Sequence, residues 1–237
     1  PVSNRPPPAI TGTIETGPRG YRLPVQVLRP GTEDAKLFDA VVEASGKEDV
    51  LNAVGRLAAR VRSGLGDTSV VNADQVNINE TFTANSLEAA HAYIEGQNLL
   101  AEGKPEDALA AYRKAVEIDP NLGRAYSGIG AVANNLRRRD EALEAYNKAL
   151  SLLDRMTERE RFRTRGSYYA AMGNAEKARD ENEQLVEKFP SDAAGLSNLA
   201  LAYFNMWNFA KALDLGRQSA AIYPGNVLRQ SNVALYA

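Results

Sequence analysis

The spacing of apolar residues changes along this chain of 237 residues. From about residue 86 to the end, apolar side chains recur every three or four positions, as they do on one face of an amphipathic helix. Near the start, the runs Ala9–Glu15, Tyr21–Leu28 and Leu37–Glu43 are shorter and rich in strand-forming residues. The pattern therefore predicts a mainly α-helical chain in which a small α+β unit precedes a long helical region.

The α+β unit is predicted to contain three strands and one helix. Gly17-Pro18-Arg19-Gly20 separates the first two runs and indicates a hairpin turn, and Pro24 predicts an edge or bulge position. Ser45 and Glu48 have the spacing of a capping box, which predicts the start of a helix. The apolar face of this helix is predicted to consist of Val50, Val54, Leu57, Val61 and Leu65.

The helical region repeats itself with a constant phase. An alanine follows each of four turn sequences, at Ala108, Ala142, Ala178 and Ala212, with separations of 34, 36 and 34 residues. This period is typical of a helix-turn-helix solenoid. A small residue also recurs in the first helix of each unit, where the partner helix must approach closely. These residues are Gly96, Gly130, Gly166 and Ala200.

Proline marks the end of three of the second helices, because it cannot continue a helix. Pro120, Pro190 and Pro224 have this position, whereas the second unit has Asp154 there and two additional residues. We therefore predict that the second helix of this unit continues through Leu153. A capping box at Thr157–Glu160 is expected to start the next helix.

These units resemble the tetratricopeptide repeat (TPR) family. The sequence Gly-x-x-Glu-x-Ala-x-x-x-Tyr-x-x-Ala-x-x-x-x-Pro, which the family writes in almost this form, begins at Gly103. Four such repeats cover about Leu87–Asn226, and Val227–Ala237 resembles the first helix of a fifth. The resemblance implies a solenoid whose first helices line a concave groove, and a protein-binding function.

A looser resemblance involves the region before the repeats. The runs Glu43–Val50, Arg60–Asp67 and Thr83–Tyr93 are similar to a segment of multidomain bacterial signalling proteins in which a TolB-like α+β unit precedes TPRs. These proteins are receptor-type Ser/Thr kinases and membrane-bound cyclases or transcription regulators. The resemblance implies a location in the bacterial cytoplasm or on the extracytoplasmic side of the inner membrane.

The start of the chain is Pro-rich and lacks an initiator Met, so we interpret the chain as part of a longer protein. The predicted organisation is a Pro-rich linker, the α+β unit, a polar linker and the TPR array, at residues 1–8, 9–67, 68–85 and 86–237.

Composition and motifs argue against catalysis in this chain. It contains no cysteine, and His91 is its only histidine, which excludes disulfides, thiolate zinc sites and multi-histidine metal sites. No phosphate-binding loop or kinase motif occurs. We therefore expect no cofactor, no metal site and no enzyme activity. Trp207 and Phe209 flank a turn and are expected to seal the interface between adjacent hairpins.

Charge and hydropathy limit the expected partners to proteins and peptides. The net charge of −2 gives no general attraction to nucleic acid. No apolar run approaches the roughly 20 residues that span a bilayer. Contact with a membrane is therefore expected only through parts outside this chain.

The predicted function is a protein–protein interaction scaffold that binds a peptide or partner protein in the concave groove. The alternative is a regulatory or sensor segment of a larger bacterial signalling enzyme, such as a Ser/Thr kinase. Some family members clamp a peptide carboxylate with Lys and Asn. Tyr93, Gln97 and Gly128 occupy the matching positions here and do not supply those side chains.

The groove is instead expected to be mixed in character. Arg124 and Arg163 suggest an acidic or phosphorylated ligand, with Glu160 partly cancelling their field. A second interpretation is that the inner face is merely solvated. The predicted partner-binding residues are Tyr93, Gln97, Arg124, Ser127, Asn134, Arg163, Ser167, Ser197, Phe204 and Asn205.

Overall fold

The computed structural model describes residues 8–18, 20–29, 36–65, 83–222 and 226–237. In this part of the chain four strands are followed by ten α-helices, and all strands lie within the first 44 residues. The chain divides into two compact units, residues 1–81 and residues 82–237. The predicted Pro-rich linker at residues 1–8 and the predicted polar linker at residues 68–85 lie almost entirely outside the described residues, and Pro224 lies outside them too.

The first unit is an antiparallel sheet packed against one helix. Strand β3 is central, because it pairs with β1 and β2 along one edge and with β4 along the other. Leu23 and Val27 of β3 are buried, as are Val42 and Ala44 of β4. The elements are β1 (Ala9–Gly12), β2 (Glu15–Gly17), β3 (Gly20–Leu28), β4 (Lys36–Ala44) and α1 (Val50–Gly64).

Pro24 lies within the central strand, so the prediction of an edge or bulge position is wrong. Its carbonyl accepts a hydrogen bond of 3.2 Å from the amide of Thr13, between β1 and β2. Proline cannot return this bond because it has no N–H. The flanking strand is therefore interrupted at Thr13, while the pairing register stays the same on both sides of the interruption.

The start of α1 also differs from the prediction. Asp49, and not Glu48, accepts a 3.1 Å hydrogen bond from the amide of Ser45, so the predicted capping box is not formed. A 3₁₀ turn, Lys47–Asp49, precedes the helix. On α1, Val50, Leu57 and Val61 are buried as predicted, whereas Val54 and Leu65 are exposed. Ala53 is buried in place of Val54.

The second unit consists of four helix pairs and a ninth helix. The predicted solenoid of helix-turn-helix repeats after a small α+β unit is confirmed. The helices are α2 (Leu87–Ala101), α3 (Pro105–Ile118), α4 (Gly123–Asn135), α5 (Arg139–Ser151), α6 (Glu158–Ala171), α7 (Ala175–Lys188), α8 (Ala193–Asn205), α9 (Phe209–Ile222) and α10 (Val227–Tyr236).

In the first two helix pairs, buried tyrosine rings pack directly against glycines of the facing helices. A Cβ built on Gly96 would lie 2.6 Å from the ring of Tyr112, and one on Gly128 of the next pair would lie 3.0 Å from the same ring. Tyr146 covers Gly130 in the same way. The glycines therefore let each tyrosine fill the space between helices that a larger side chain would hold apart.

The segment that contains the two additional residues of the second repeat includes a 3₁₀ turn. Helix α5 ends at Ser151 and the turn covers Leu153–Arg155, so the prediction of a helix through Leu153 is wrong. The turn allows Leu152 and Met156 to pack against the backbone of Gly123. The predicted capping box at Thr157–Glu160 is confirmed, with both reciprocal hydrogen bonds present.

Candidate partner-binding groove

The predicted site residues lie on α2, α4, α6 and α8, which are the first helices of the four pairs. Each of these helices is followed by a turn and by a second helix that packs against it. The first helices of adjacent pairs are also in contact, since α4 touches α6 and α6 touches α8. Side chains on them can therefore form clusters that cross from one repeat to the next.

Arg124 is the centre of such a cluster. Its Nη1 donates hydrogen bonds to the hydroxyl of Ser127 at 3.2 Å and to that of Thr164 at 3.3 Å. Its Nη2 donates to the hydroxyl of Tyr93 at 3.5 Å. Among the described residues, no carboxylate oxygen lies within 4.0 Å of this guanidinium. The half-buried cation is thus surrounded by hydroxyl groups from α2, α4 and α6.

The cluster extends along α2 through a second tyrosine. Gln97 donates a 2.7 Å hydrogen bond to the hydroxyl of Tyr112, and the rings of Tyr93 and Tyr112 are 5.7 Å apart. Burial, with a smaller contribution from Tyr93, raises the pKa of Tyr112 well above its usual value. The Tyr112 hydroxyl therefore remains neutral and supports the side chains around Arg124 without adding charge.

Glu160 influences Arg124 without forming an ion pair with it. Burial alone would lower the pKa of Arg124, but the neighbouring Tyr93 and Glu160 raise it, so the guanidinium keeps its charge. The carboxylate of Glu160 is already engaged, since it accepts 2.9 Å hydrogen bonds from the amide of Thr157 and the hydroxyl of Thr83. Glu160 therefore reduces the positive field of Arg124 but leaves its N–H groups unpaired with a carboxylate.

Arg163 has a different environment, because it is paired with a buried carboxylate. Arg163 and Arg159 of α6 approach the same oxygen of Asp192, each at 2.6 Å. Asp192 is fully buried and also caps α8 by accepting a 2.8 Å hydrogen bond from the amide of Gly195. Burial alone would raise the pKa of Asp192, but the hydrogen bond and charge of Arg163 lower it below its usual value. Arg163 is thus part of a structural tie between α6 and α8.

The remaining predicted residues fall into three groups. Asn134 and Asn205 are exposed, like Gln97, while Ser167 and Ser197 are half-buried. Phe204 packs against Phe209 and Tyr236 at the end of the array, with ring centroids 5.4 and 5.2 Å apart. In the part of the chain that the structure describes, contacts join only Tyr93, Gln97, Arg124 and Ser127 of the predicted set into one cluster.

Two residues that the pattern did not predict belong to these clusters, and a third residue has another environment than the one predicted for it. Thr164 contacts Arg124, and Asp192 is paired with Arg163; the only sequence signal for either was that Asp192 precedes a helix, as N-caps do. Trp207 is 81% exposed, so the prediction that it seals the interface between hairpins is wrong.

Two other kinds of feature are absent from the described residues. No group of three or more His, Cys, Asp or Glu residues in that part of the chain is arranged so that it could hold a metal ion. Within the same residues, no helix combines the length and the apolar character that crossing a bilayer requires.

Comparison with known families agrees with the class of helix-turn-helix solenoid that the fold defines. A model described as TPR repeat matches residues 96–134, and two described as Tetratricopeptide repeat match residues 123–152 and 163–227. The chain is a TPR-repeat protein.

Individual relatives share the repeats at low identity. Tetratricopeptide repeat protein 6 of Homo sapiens is 26% identical over 148 residues, which is 59% of this chain. The match spans 28% of that relative's length. Two solved structures are also similar to this chain. For TTC0263, a thermophilic TPR protein of Thermus thermophilus, the identity is 19%, the coverage 62% of this chain and 80% of that one, and the TM-score 0.48. For pilF of Pseudomonas aeruginosa, the identity is 26%, the coverage 63% of this chain and 68% of that one, and the TM-score 0.42.

Proposed function

We propose that this protein is an interaction scaffold that binds an acidic segment of a partner protein across the first helices of repeats one to three. TPR arrays in general bind proteins or peptides. The observation that supports the acidic ligand is the environment of Arg124. Within the described residues, its half-buried guanidinium donates hydrogen bonds to hydroxyl groups and to no carboxylate. Arg163, the other predicted cation, is paired with Asp192.

A carboxylate would be a better partner for Arg124 than the hydroxyls are. Hydrogen bonds between two charged groups are shorter and roughly twice as strong as neutral ones, and a guanidinium fork matches a carboxylate. The hydroxyls of Ser127, Thr164 and Tyr93 need not be lost, because a hydroxyl can rotate from accepting to donating. An incoming carboxylate would then receive bonds from the guanidinium and from the hydroxyls around it.

The nearby charge of Glu160 favours a singly charged ligand group. A phosphate carries about −1.5 to −2 charges at pH 7 and would be repelled more strongly than a carboxylate. The exposed amides of Gln97 and Asn134 are suited to bonding a peptide backbone without demanding one sequence. The proposed ligand is therefore an extended peptide with Asp, Glu or a C-terminal carboxylate above Arg124.

We expect the substitution Arg124→Gln to weaken binding of a short acetylated, amidated Glu-containing peptide by roughly 10- to 150-fold. This range corresponds to a lost hydrogen bond to a charged group, worth about 1.5–3 kcal/mol. Isothermal titration calorimetry would measure the affinity. The matched control is Arg155→Gln, which removes the same charge from an exposed arginine elsewhere in the array and should leave the affinity unchanged.

Related peptides would identify the ligand group. A peptide with a free C-terminal carboxylate and no Glu, and one with phosphoserine in place of Glu, distinguish the three sources of negative charge. Equal affinities of wild type and Arg124→Gln, with the helical content intact by circular dichroism, would exclude Arg124 as the anchor. Equal weakening by Arg124→Gln and Arg155→Gln would show a general charge effect instead of a site.

A further inference from the structure

The turn between α8 and α9 contains a residue that its backbone conformation disfavours. The corresponding positions of the four turns all have positive φ, with values of 77° at Gly103, 61° at Arg137, 73° at Gly173 and 63° at Trp207. Glycine adopts this conformation without penalty, whereas a residue with a Cβ is strained in it. Trp207 is therefore a costly choice at a position where two of the other repeats have glycine.

Burial of the Trp207 side chain does not compensate for this backbone strain. It is 81% exposed, and its one ring contact among the described residues is with Phe209, at a centroid distance of 5.9 Å. Backbone hydrogen bonds form the turn itself, from the amide of Trp207 to Phe204 and from that of Asn208 to Tyr203, both at 2.9 Å. Strain without a structural benefit points to a function for the side chain.

A shallow cleft lined by both polar and apolar groups begins at the residue before Trp207. Met206 lines it together with Met172 and the following residues up to Glu176, which span the turn of the third repeat and the start of α7. The cleft thus lies between two consecutive turns. Methionine side chains are flexible and polarisable, and they adapt to apolar parts of different partners.

In the described part of the chain, neither Glu176 at this cleft nor the neighbouring Trp207 is paired with a cation. Glu176 is exposed and, among the described residues, has no Lys or Arg within 4.0 Å. Nearby lysines are engaged elsewhere, since Lys177 lies over the ring of Tyr169 at 5.2 Å and Lys211 over that of Tyr203 at 4.1 Å. Tryptophan is the strongest aromatic partner for a cation. In the described part of the chain, however, no cation lies over Trp207.

We propose that these turns form a second docking surface, which binds a lysine- or arginine-bearing segment of a partner protein. We call it the turn edge and define it by Met172, Glu176, Met206, Trp207 and Phe209. The alkyl stem of the incoming side chain packs on the two methionines. Its charge is shared between the carboxylate of Glu176 and the face of Trp207. The turn edge shares no residue with the Arg124 cluster. The two surfaces accept ligands of opposite charge, because one presents the carboxylate of Glu176 and the other the guanidinium of Arg124.

The intrinsic fluorescence of the protein tests this proposal directly, because Trp207 is its single tryptophan. The probe is an acetylated, amidated 12-residue peptide of Ala, Leu and Lys, beside matched peptides with Gln or Glu in place of Lys. We expect only the Lys peptide to change the Trp207 emission in a saturable manner. With a fluorescein-labelled Lys peptide, anisotropy should show affinity weakened roughly 5-fold or more by Trp207→Gly and roughly 2- to 5-fold by Glu176→Gln.

Matched variants separate recognition from stability and from general charge. Arg137→Gly relieves the same backbone strain in the second repeat and should leave the affinity unchanged, as should Glu144→Gln, which removes an exposed carboxylate elsewhere. Trp207→Gly should keep or raise the melting temperature. Any of four results would overturn the proposal. Two are failure of the Lys peptide to bind and equally strong binding of the Gln or Glu peptide. The other two are an unchanged affinity of Trp207→Gly and a lower melting temperature of that variant.

Discussion

The variant Gly130→Leu is expected to melt below the wild-type protein, by up to about 12 °C. A Cβ at position 130 would lie 2.8 Å from the ring of Tyr146, which is less than any ordinary contact distance. Tyr146 is buried and its ring packs edge-on against Tyr168 at 6.0 Å, so it has no free space to move into. Overpacking of this kind costs up to about 3 kcal/mol, and each kcal/mol corresponds to about 2–4 °C in a domain of this size.

Thermal denaturation followed by circular dichroism measures this effect, and Asn134→Leu is the matched control. It places the same side chain on the same helix at an exposed position and should change the stability by less than about 0.5 kcal/mol. Gly166→Leu should also destabilise the fold, because a Cβ there would lie 2.6 Å from the amide of Asn182. Identical melting of Gly130→Leu and Asn134→Leu would mean that the helices of the second repeat pair in another register.

The variant Asp192→Asn should be less stable than wild type by about 2 kcal/mol at neutral pH. Asparagine is a good N-cap and can still accept the bond from the amide of Gly195. It cannot form the ion pairs with Arg159 and Arg163, whose side chains are 36% and 25% exposed. Breaking a fully buried ion pair costs about 3–5 kcal/mol, and we reduce this value because solvent screens the two arginines.

The effect of Asp192→Asn should depend on pH. Because the folded protein lowers the pKa of Asp192, its charge stabilises the fold above the ordinary carboxyl pKa of about 4. This stabilisation is lost as the pH falls below the ordinary carboxyl pKa and then passes through the lower pKa that Asp192 has in the folded protein. Melting curves at pH 7, 4 and 2 should show the difference between the two proteins narrowing at the lowest pH.

The exposed residue Glu117 provides the control for this experiment, since Glu117→Gln also removes one carboxylate but should alter the stability little. A difference between wild type and Asp192→Asn that is as large at pH 2 as at pH 7 would show that the ion pairs do not contribute to it. The loss would then have to come from the changed cap of α8.

The sequence by itself determined the repeat architecture. In a solenoid each helix pair contacts only its neighbours, so the information for one repeat lies within about 34 residues of chain. Small residues such as Gly96 and Gly130 marked where helices approach, and the structure places Tyr112 and Tyr146 against them. The strands were also predictable locally, although the pattern could not show that Pro24 lies in the central strand, because strand order is not encoded in the spacing of apolar residues.

Tertiary structure alone decided which charged and aromatic side chains are available for a partner. Arg124 and Arg163 were both predicted on the inner face of a first helix, yet one faces hydroxyls and the other faces Asp192. Likewise, nothing local distinguishes an aromatic residue that seals a hairpin from the exposed Trp207. The physical reason is that charge pairing and exposure depend on distances between helices of successive repeats, whereas the periodicity that predicts those helices depends only on neighbours along the chain.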